Sequence, residues 1–460
     1  MAHALAGKPV QEQDIIDVQT IVDAYFDNVP DMTNPTQLVS FGTSGHRGTS
    51  VDGTFTDLHV AAITQAICDG RKQFGATGPI FVGQDTHALS QPALVTVLEV
   101  LAGNGVTAMV DCDMAFVPTP SVSRAIIRYN EEHDDKADGI IITPSHNPPD
   151  NGGIKYNTII GGPADTVVTK WIEMRANEYL TAYCESEDFK RISIDNIEPS
   201  AQVPYDYKGL YVEELGDVIN MEAIKAAGPK VLVDTLGGSG ASYWNAIKER
   251  YGLDLTIIHD DYDPTFSFMT YDHDGKVRMD CSSTYVMASV INRIGDFDLA
   301  VGNDPDYDRY GIVVSSGLIS ANTFLTLAAR YLFTTRGWKH KGVGKTVVCT
   351  TMIDKWAADA ETPVFEVPVG FKYFSQLLFD GAIGIGGEES AGASFLKKDG
   401  TVWTTDKDGM IMALLSMEIM AVMGKSELKM ADEFVEEFGN PSFGRIDAPC
   451  KKEQKQKIGR

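Results

Sequence analysis

The chain has 460 residues, more than one hydrophobic core usually serves, so about three domains of roughly 100 to 200 residues each are expected. With 43% hydrophobic and 22% charged residues it has the make-up of a globular protein, which excludes a disordered or fibrous one. A formal charge of −25, spread along the sequence, disfavours a nucleic-acid backbone or an anionic membrane as partner, so an anionic ligand must be drawn in by local cations or a metal.

A helical lead-in is expected at about 11–28, then a helix near 58–74, strand IFVG at 80–83, helix at 93–105, strand VTAMV at 106–110 and strand GIIIT at 139–143. The same alternation restarts with VLVD at 231–234, a Gly-rich turn and helix, LTIIH at 255–259 and DLAVGND at 298–304. A third round has helix NTFLTLAARYLFTT, then strands TVVCTT at 346–351, PVFEV and AIGIGG at 382–387. Short β-rich runs alternating with helices of ten or more residues predict an α/β fold whose sheets are mixed and largely parallel. The expected domains are 1–205, 206–320 and 321–440.

Six cysteines at 68, 112, 184, 281, 349 and 450 form no CxxC pair and imply reduced thiols. The N-terminus shows no leader pattern, and no run reaches the ~18 apolar residues of a membrane helix, which together point to the cytoplasm. No coiled-coil heptad or apolar stripe indicates a partner chain, so oligomeric state is left open.

Four Gly- and Pro-dense loops follow the strand pattern: FGTSGHRG (41–48), TPSHNPPDNGGIKYN (143–157), GNDPDYDR (302–309) and GGEESAG (386–392). Ligands of open α/β sheets bind at the carboxyl ends of strands, where such loops lie. Asp304, Asp306 and Asp308 alternate, and an extended loop folding around one point would offer three hard oxygens to Mg²⁺. Taken alone they also admit a solvated acidic turn, although a metal site is the favoured reading. An EF-hand loop wants Gly at position six and Glu at twelve, where this chain has Arg309 and Ser315.

Ser145 is flanked by Pro144, Pro148 and Pro149, which would present its hydroxyl rigidly just past a strand, as phosphoryl transfer requires. Alone, the Ser-His-Asn-Pro cluster reads as a plain turn. Glu388 and Ser390 would suit sugar hydroxyls and Lys372 a phosphate, although exposed loop charge explains each singly. VGKT at 343–346 lacks the first glycine of a phosphate loop, because position 339 is Lys339, and LGGSG at 236–240 is not GxGxxG.

Taken together and in order, FGTSGHRG, TPSHNP, GGIKYN, DPDYDR, VGFK and GEESAG resemble the motif set of the α-D-phosphohexomutase family, with the nearest likeness to bacterial phosphoglucomutases. The resemblance runs over nearly the whole chain and includes connecting stretches such as RMDCSS and TTDKDGMIM. It implies three similar α/β domains around a central cleft and a mutase that interconverts glucose 1-phosphate and glucose 6-phosphate. Sister mutases acting on mannose or N-acetylglucosamine phosphate, and a Mg²⁺-dependent phosphatase, are the neighbouring readings.

By the same resemblance Ser145 is the phosphoserine, and Asp304, Asp306 and Asp308 bind Mg²⁺ together with the phosphate on Ser145. Arg309 lies beside the metal, Arg47 and Lys155 reach the transferring phosphoryl group or assist proton transfer, and His146 is near the phosphoserine. Glu388 and Ser390 hold the sugar, which the Gly370, Phe371 and Lys372 loop selects, and glucose 1,6-bisphosphate is the implied activator. The family continues into a fourth domain with a PSGTE-type phosphate loop, whereas this sequence stops at KKEQKQKIGR. Residues 441–460 are therefore expected to begin a linker to that missing domain, and a phosphosugar-binding chain with little turnover is the corresponding alternative.

Overall fold

The computed structural model describes residues 2–42, 44–183, 189–338, 340–440, 442 and 444; beyond the last two, the expected linker at 441–460 lies outside the described residues. The first sheet orders its strands His46–Thr49, Asn151–Asn157, Asp138–Ile142, Ile80–Gln84, Ala108–Asp111 and Gln202–Tyr205. The last four run parallel, and Asn151–Asn157 returns antiparallel to Asp138–Ile142. Ile140, Ile141 and Ile142 are all buried, as in a parallel strand covered by helices on both faces, which explains why the run shows no alternation.

The second sheet runs Gly317–Leu318, Tyr310–Val314, Leu299–Asn303, Val231–Asp234, Leu255–Ile258, and the third Val364–Val367, Gly342–Thr346, Ile383–Gly387, Ala393–Phe395. Each sheet combines a parallel block with a strand that hairpins back. Residues 143–150, 304–309 and 388–392 make those three turns, each too short for the crossover that parallel pairing needs. The functional loops are thus hairpin turns at the carboxyl ends of parallel strands.

The strand expected at 346–351 is instead Gly342–Thr346, with 347–351 in turn and coil. GVGKT is buried along its whole length between two partners, whereas Val347 and Val348 are exposed. Burial between strands outweighed β-branched composition. FGTSGHRG and TPSHNPPDNGGIKYN are also only partly loops: His46–Thr49 pairs with Asn151–Ile154, so Arg47 stands on the edge strand and Lys155 on the strand beside it.

Helix Gly409–Met423 starts on Asp408, whose side chain accepts from Ile411 N, and ends at Gly424, whose φ of 60° suits the left-handed C-terminal position. It is apolar nearly all round, and from Gly409 to Ile419 it is buried on every side. It packs on strands Leu299–Asn303 and Tyr310–Val314 of the second unit and on Ala393–Phe395 of the third, so these units share one core. Residues 3–10 cross to the second unit, where Pro9 bridges Thr270 and Leu5 and Val10 pack on the core. Among the described residues no single helix is long and apolar enough to cross a membrane.

Candidate active site

Ser145 is 1% exposed and adopts φ 60°, a left-handed conformation that costs a non-glycine residue on the order of 1 to 3 kcal/mol. Its backbone N–H donates to Thr143 Oγ1 at 2.7 Å. Its hydroxyl donates to Asp304 Oδ2 at 2.8 Å and lies 3.3 Å from His146 Nδ1. Tyr307 (φ 63°) and Ala391 (φ 66°) are left-handed in the other two hairpin turns, so all three store backbone strain.

The aspartates are not on an extended loop. Tyr307 N donates to Asp304 O, and this turn brings carboxylate oxygens of Asp304, Asp306 and Asp308 within 4.8 Å of one another, all fully buried. Asp304 Oδ1 accepts from Arg309 N, and Asp306 Oδ2 accepts from Thr119 Oγ1 and Lys155 Nζ. Asp306 Oδ1 and Asp308 Oδ1 accept no hydrogen bond although buried. Orphaned carboxylate oxygens in a hard donor set are what a divalent cation satisfies, so the residues fit the expected metal. Burial and the charges of Asp306 and Asp308 push the Asp304 carboxyl well above its usual range, a penalty that a bound cation would remove.

Two lysines flank the triad. Lys155 Nζ lies 2.6 Å from Asp306 Oδ2 and 3.2 Å from Asp308 Oδ2, and Lys407 Nζ lies 2.8 Å from the latter. Burial would raise the Asp308 carboxyl, but Lys407, Lys155 and Arg309 hold it far below the carboxylate range. Burial together with Arg309 and Arg47 pushes the His146 imidazole down to about 3, against the pull of Asp280.

A cavity of about 430 Å³ opens here, with Arg47, Arg309, Lys372 and Lys407 facing the acceptors Glu388 and Ser390. His146, Gly370 and Phe371 also line it, so every site residue expected from the sequence lies at the cavity or in the carboxylate cluster beside it. Glu388 Oε1 accepts from Gly370 N at 3.0 Å, and burial raises its carboxyl despite Lys407 and Arg309. Lys372 Nζ is engaged by Thr166 Oγ1 of the first unit at 2.8 Å. A further cavity of about 330 Å³ beneath helix Glu427–Phe438 is lined by no titratable side chain and by none of these residues.

Lys407 and Asp280 were missed as site residues. Lys407 stands between two aspartates in TTDKDGM and reads locally as a solvated charge, and only the fold carries it to Asp308. Asp280 Oδ2 lies 3.5 Å from Arg309 Nη1; burial opposes its charge, but Arg309 and His146 hold it down to about 2. Both lie in stretches that carry the family resemblance, which was the one signal available.

Residues 38–182, 210–317 and 320–438 match the family models for phosphoglucomutase/phosphomannomutase alpha/beta/alpha domains I, II and III. A phosphoglucomutase of Komagataeibacter xylinus is 47% identical over 98% of this chain and 82% of its own. Phosphoglucomutase 1 of Saccharomyces cerevisiae is 28% identical over 88% of this chain and 74% of its own. The crystal structure of a putative phosphomannomutase from Thermus thermophilus matches with TM-score 0.73 at 25% identity, covering 87% of this chain and 84% of its own. Three consecutive domain matches join the same serine, aspartate and glutamate turns that the sheets bring together: the chain belongs to the phosphoglucomutase/phosphomannomutase family and is an isomerase of the phosphohexomutase class.

Proposed function

We propose that the protein interconverts glucose 1-phosphate and glucose 6-phosphate in the cytoplasm, through phosphorylated Ser145 and a glucose 1,6-bisphosphate intermediate that also serves as activator. The observation that carries this reading is the Ser145 hydroxyl, 2.8 Å from Asp304 in a buried three-aspartate cluster beside a cation-lined cavity. The 47% identity to a protein named phosphoglucomutase favours glucose over other hexoses.

Asp304, Asp306 and Asp308 would hold Mg²⁺ with the serine phosphate, and the bound ion supplies charge neutralisation at the transferring phosphoryl group. Phospho-Ser145 gives up its phosphoryl as the Oγ–P bond breaks and a bond from P to the sugar O6 forms. The departing Oγ takes up the proton that O6 gives up, relayed by neutral His146, whose Nδ1 lies 3.3 Å from Oγ. Arg47 and Lys155 stabilise charge on the group in flight, with Arg309 beside the metal ligands. Glu388 and Ser390 accept sugar hydroxyls while the Gly370 to Lys372 turn orients the ring. After the bisphosphate turns over in the cavity, the P–O1 bond breaks as a bond from P to Ser145 Oγ forms, the serine proton passes back by the same relay to O1, and glucose 6-phosphate leaves.

The test is a coupled assay of glucose 1-phosphate conversion with Mg²⁺ and a trace of glucose 1,6-bisphosphate, on the wild type and on Ser145→Ala. Turnover is expected in the first and a loss of at least about 10³-fold in the second. Equal rates would remove Ser145 from the reaction. Faster conversion of mannose 1-phosphate would move the substrate to a sister sugar.

A further inference from the structure

Asp85 and His87 follow strand Ile80–Gln84, are 0% and 1% exposed, and take no part in the chemistry above. Both reach the Ser145 turn. Asp85 Oδ2 accepts from Thr143 Oγ1 at 2.5 Å, and the same threonine oxygen accepts from Ser145 N at 2.7 Å. On the other side of Ser145, His87 Nε2 lies 3.0 Å from Asn147 O, and His87 Nδ1 lies 2.9 Å from Asp85 Oδ2.

A carbonyl and a carboxylate only accept, so both ring nitrogens carry protons and His87 is an imidazolium paired with Asp85. Burial opposes that charge, but Asp85, the Asn147 carbonyl and the more distant Asp306 raise His87 above its ordinary value. Asp85 is also satisfied: its Oδ1 accepts from Ser90 Oγ at 2.6 Å and from His87 N at 3.0 Å. A closed polar network of this kind is rigid, because removing any member leaves a buried group unpaired. It grips residues 143 and 147, and the left-handed Ser145 lies midway between them.

We propose that Asp85 and His87 are positioning residues that clamp both ends of the Ser145 turn and hold its hydroxyl at Asp304 for phosphoryl transfer. The role in transfer rests on the reading of Ser145 as the phosphorylated nucleophile; the clamp itself is geometric.

The test combines crystal structures with kinetics of Thr143→Val, which is nearly isosteric but lacks the hydroxyl, His87→Gln, and the rescue variant Thr143→Ser. Thr143→Val and His87→Gln are expected to lower kcat and the single-turnover phosphorylation of Ser145 by about 10²-fold, with KM within about twofold. Thr143→Ser is expected to restore kcat to within a few fold of wild type. In crystals of the first two, Ser145 leaves the left-handed region. Unchanged kcat in both, or a loss confined to KM, would overturn the proposal. If the wild type itself shows no mutase turnover, the functional reading fails separately, and the backbone decides the clamp: Ser145 still left-handed in both variants overturns it, and a displaced turn in either supports it.

Discussion

Lys407 Nζ lies 2.8 Å from Asp308 Oδ2, so a side chain of the third unit compensates a carboxylate of the second, an oxygen that Lys155 of the first also approaches at 3.2 Å. All three units therefore converge on one atom, and that atom belongs to the expected metal ligand set. Lys407→Met is expected to lower kcat by about 10²-fold, because a fixed cation beside the transferring phosphoryl is lost. Far-ultraviolet circular dichroism should stay at wild type; the coupled assay reads the loss, and a wild-type kcat would exclude Lys407 from the site.

The buried triad predicts a stabilising response to Mg²⁺. Three carboxylates held together repel, so a ligand that binds only the folded state stabilises it by about 2.7 kcal/mol at one hundred times its Kd. Thermal denaturation should shift upward on adding Mg²⁺ and downward with a chelator, and Asp306→Asn should blunt both shifts. An identical Mg²⁺ response in that variant would place the ion elsewhere.

His59 predicts a pH dependence away from the active site. Its Nε2 faces Gln37 O at 2.8 Å, and its Nδ1 accepts from Thr56 N at 3.2 Å at the start of helix Asp57–Gly70. The neutral ring is required, and burial together with His46 lowers its pKa to about 4. As pH falls, the unfolded chain binds this proton first, so stability present above the unfolded value of about 6.5 is lost towards pH 4, by about 3 kcal/mol. Urea unfolding across that range should show a steeper fall for the wild type than for His59→Gln; parallel curves would contradict the assignment.

Gly409→Ala tests the junction of the units. Gly409 N donates to Tyr307 O at 2.9 Å, and a Cβ there would collide with the Arg309 carbonyl and with Asn303 Nδ2. Overpacking of this kind costs about 1 to 3 kcal/mol. The clash falls on the turn that carries the aspartates, so activity and Mg²⁺ response should drop together, measured against the denaturation midpoint.

Most elements were legible because their periodicity is local. Ile140 to Ile142 and the helix over 321–336 announce themselves in windows shorter than the element. The run at 346–351 did not, because Val347 and Val348 carry strand composition and yet stand outside the sheet, and pairing with two neighbours chose GVGKT instead. Arg47 and Lys155 were recognised as site residues but assigned to loops, because an antiparallel return strand rich in glycine resembles a turn.

The sequence by itself determined the α/β class, the loops after strands that carry Ser145, the aspartates and Glu388, and their order along the chain. These depend on spacing between near neighbours, which composition and turn chemistry report. Only the tertiary structure decided that Lys407 meets Asp308, that Asp85 and His87 grip the serine turn, and that helix Gly409–Met423 joins two units in one core. Those relationships bring distant segments together through burial, and burial depends on the whole packed chain rather than on any stretch of it.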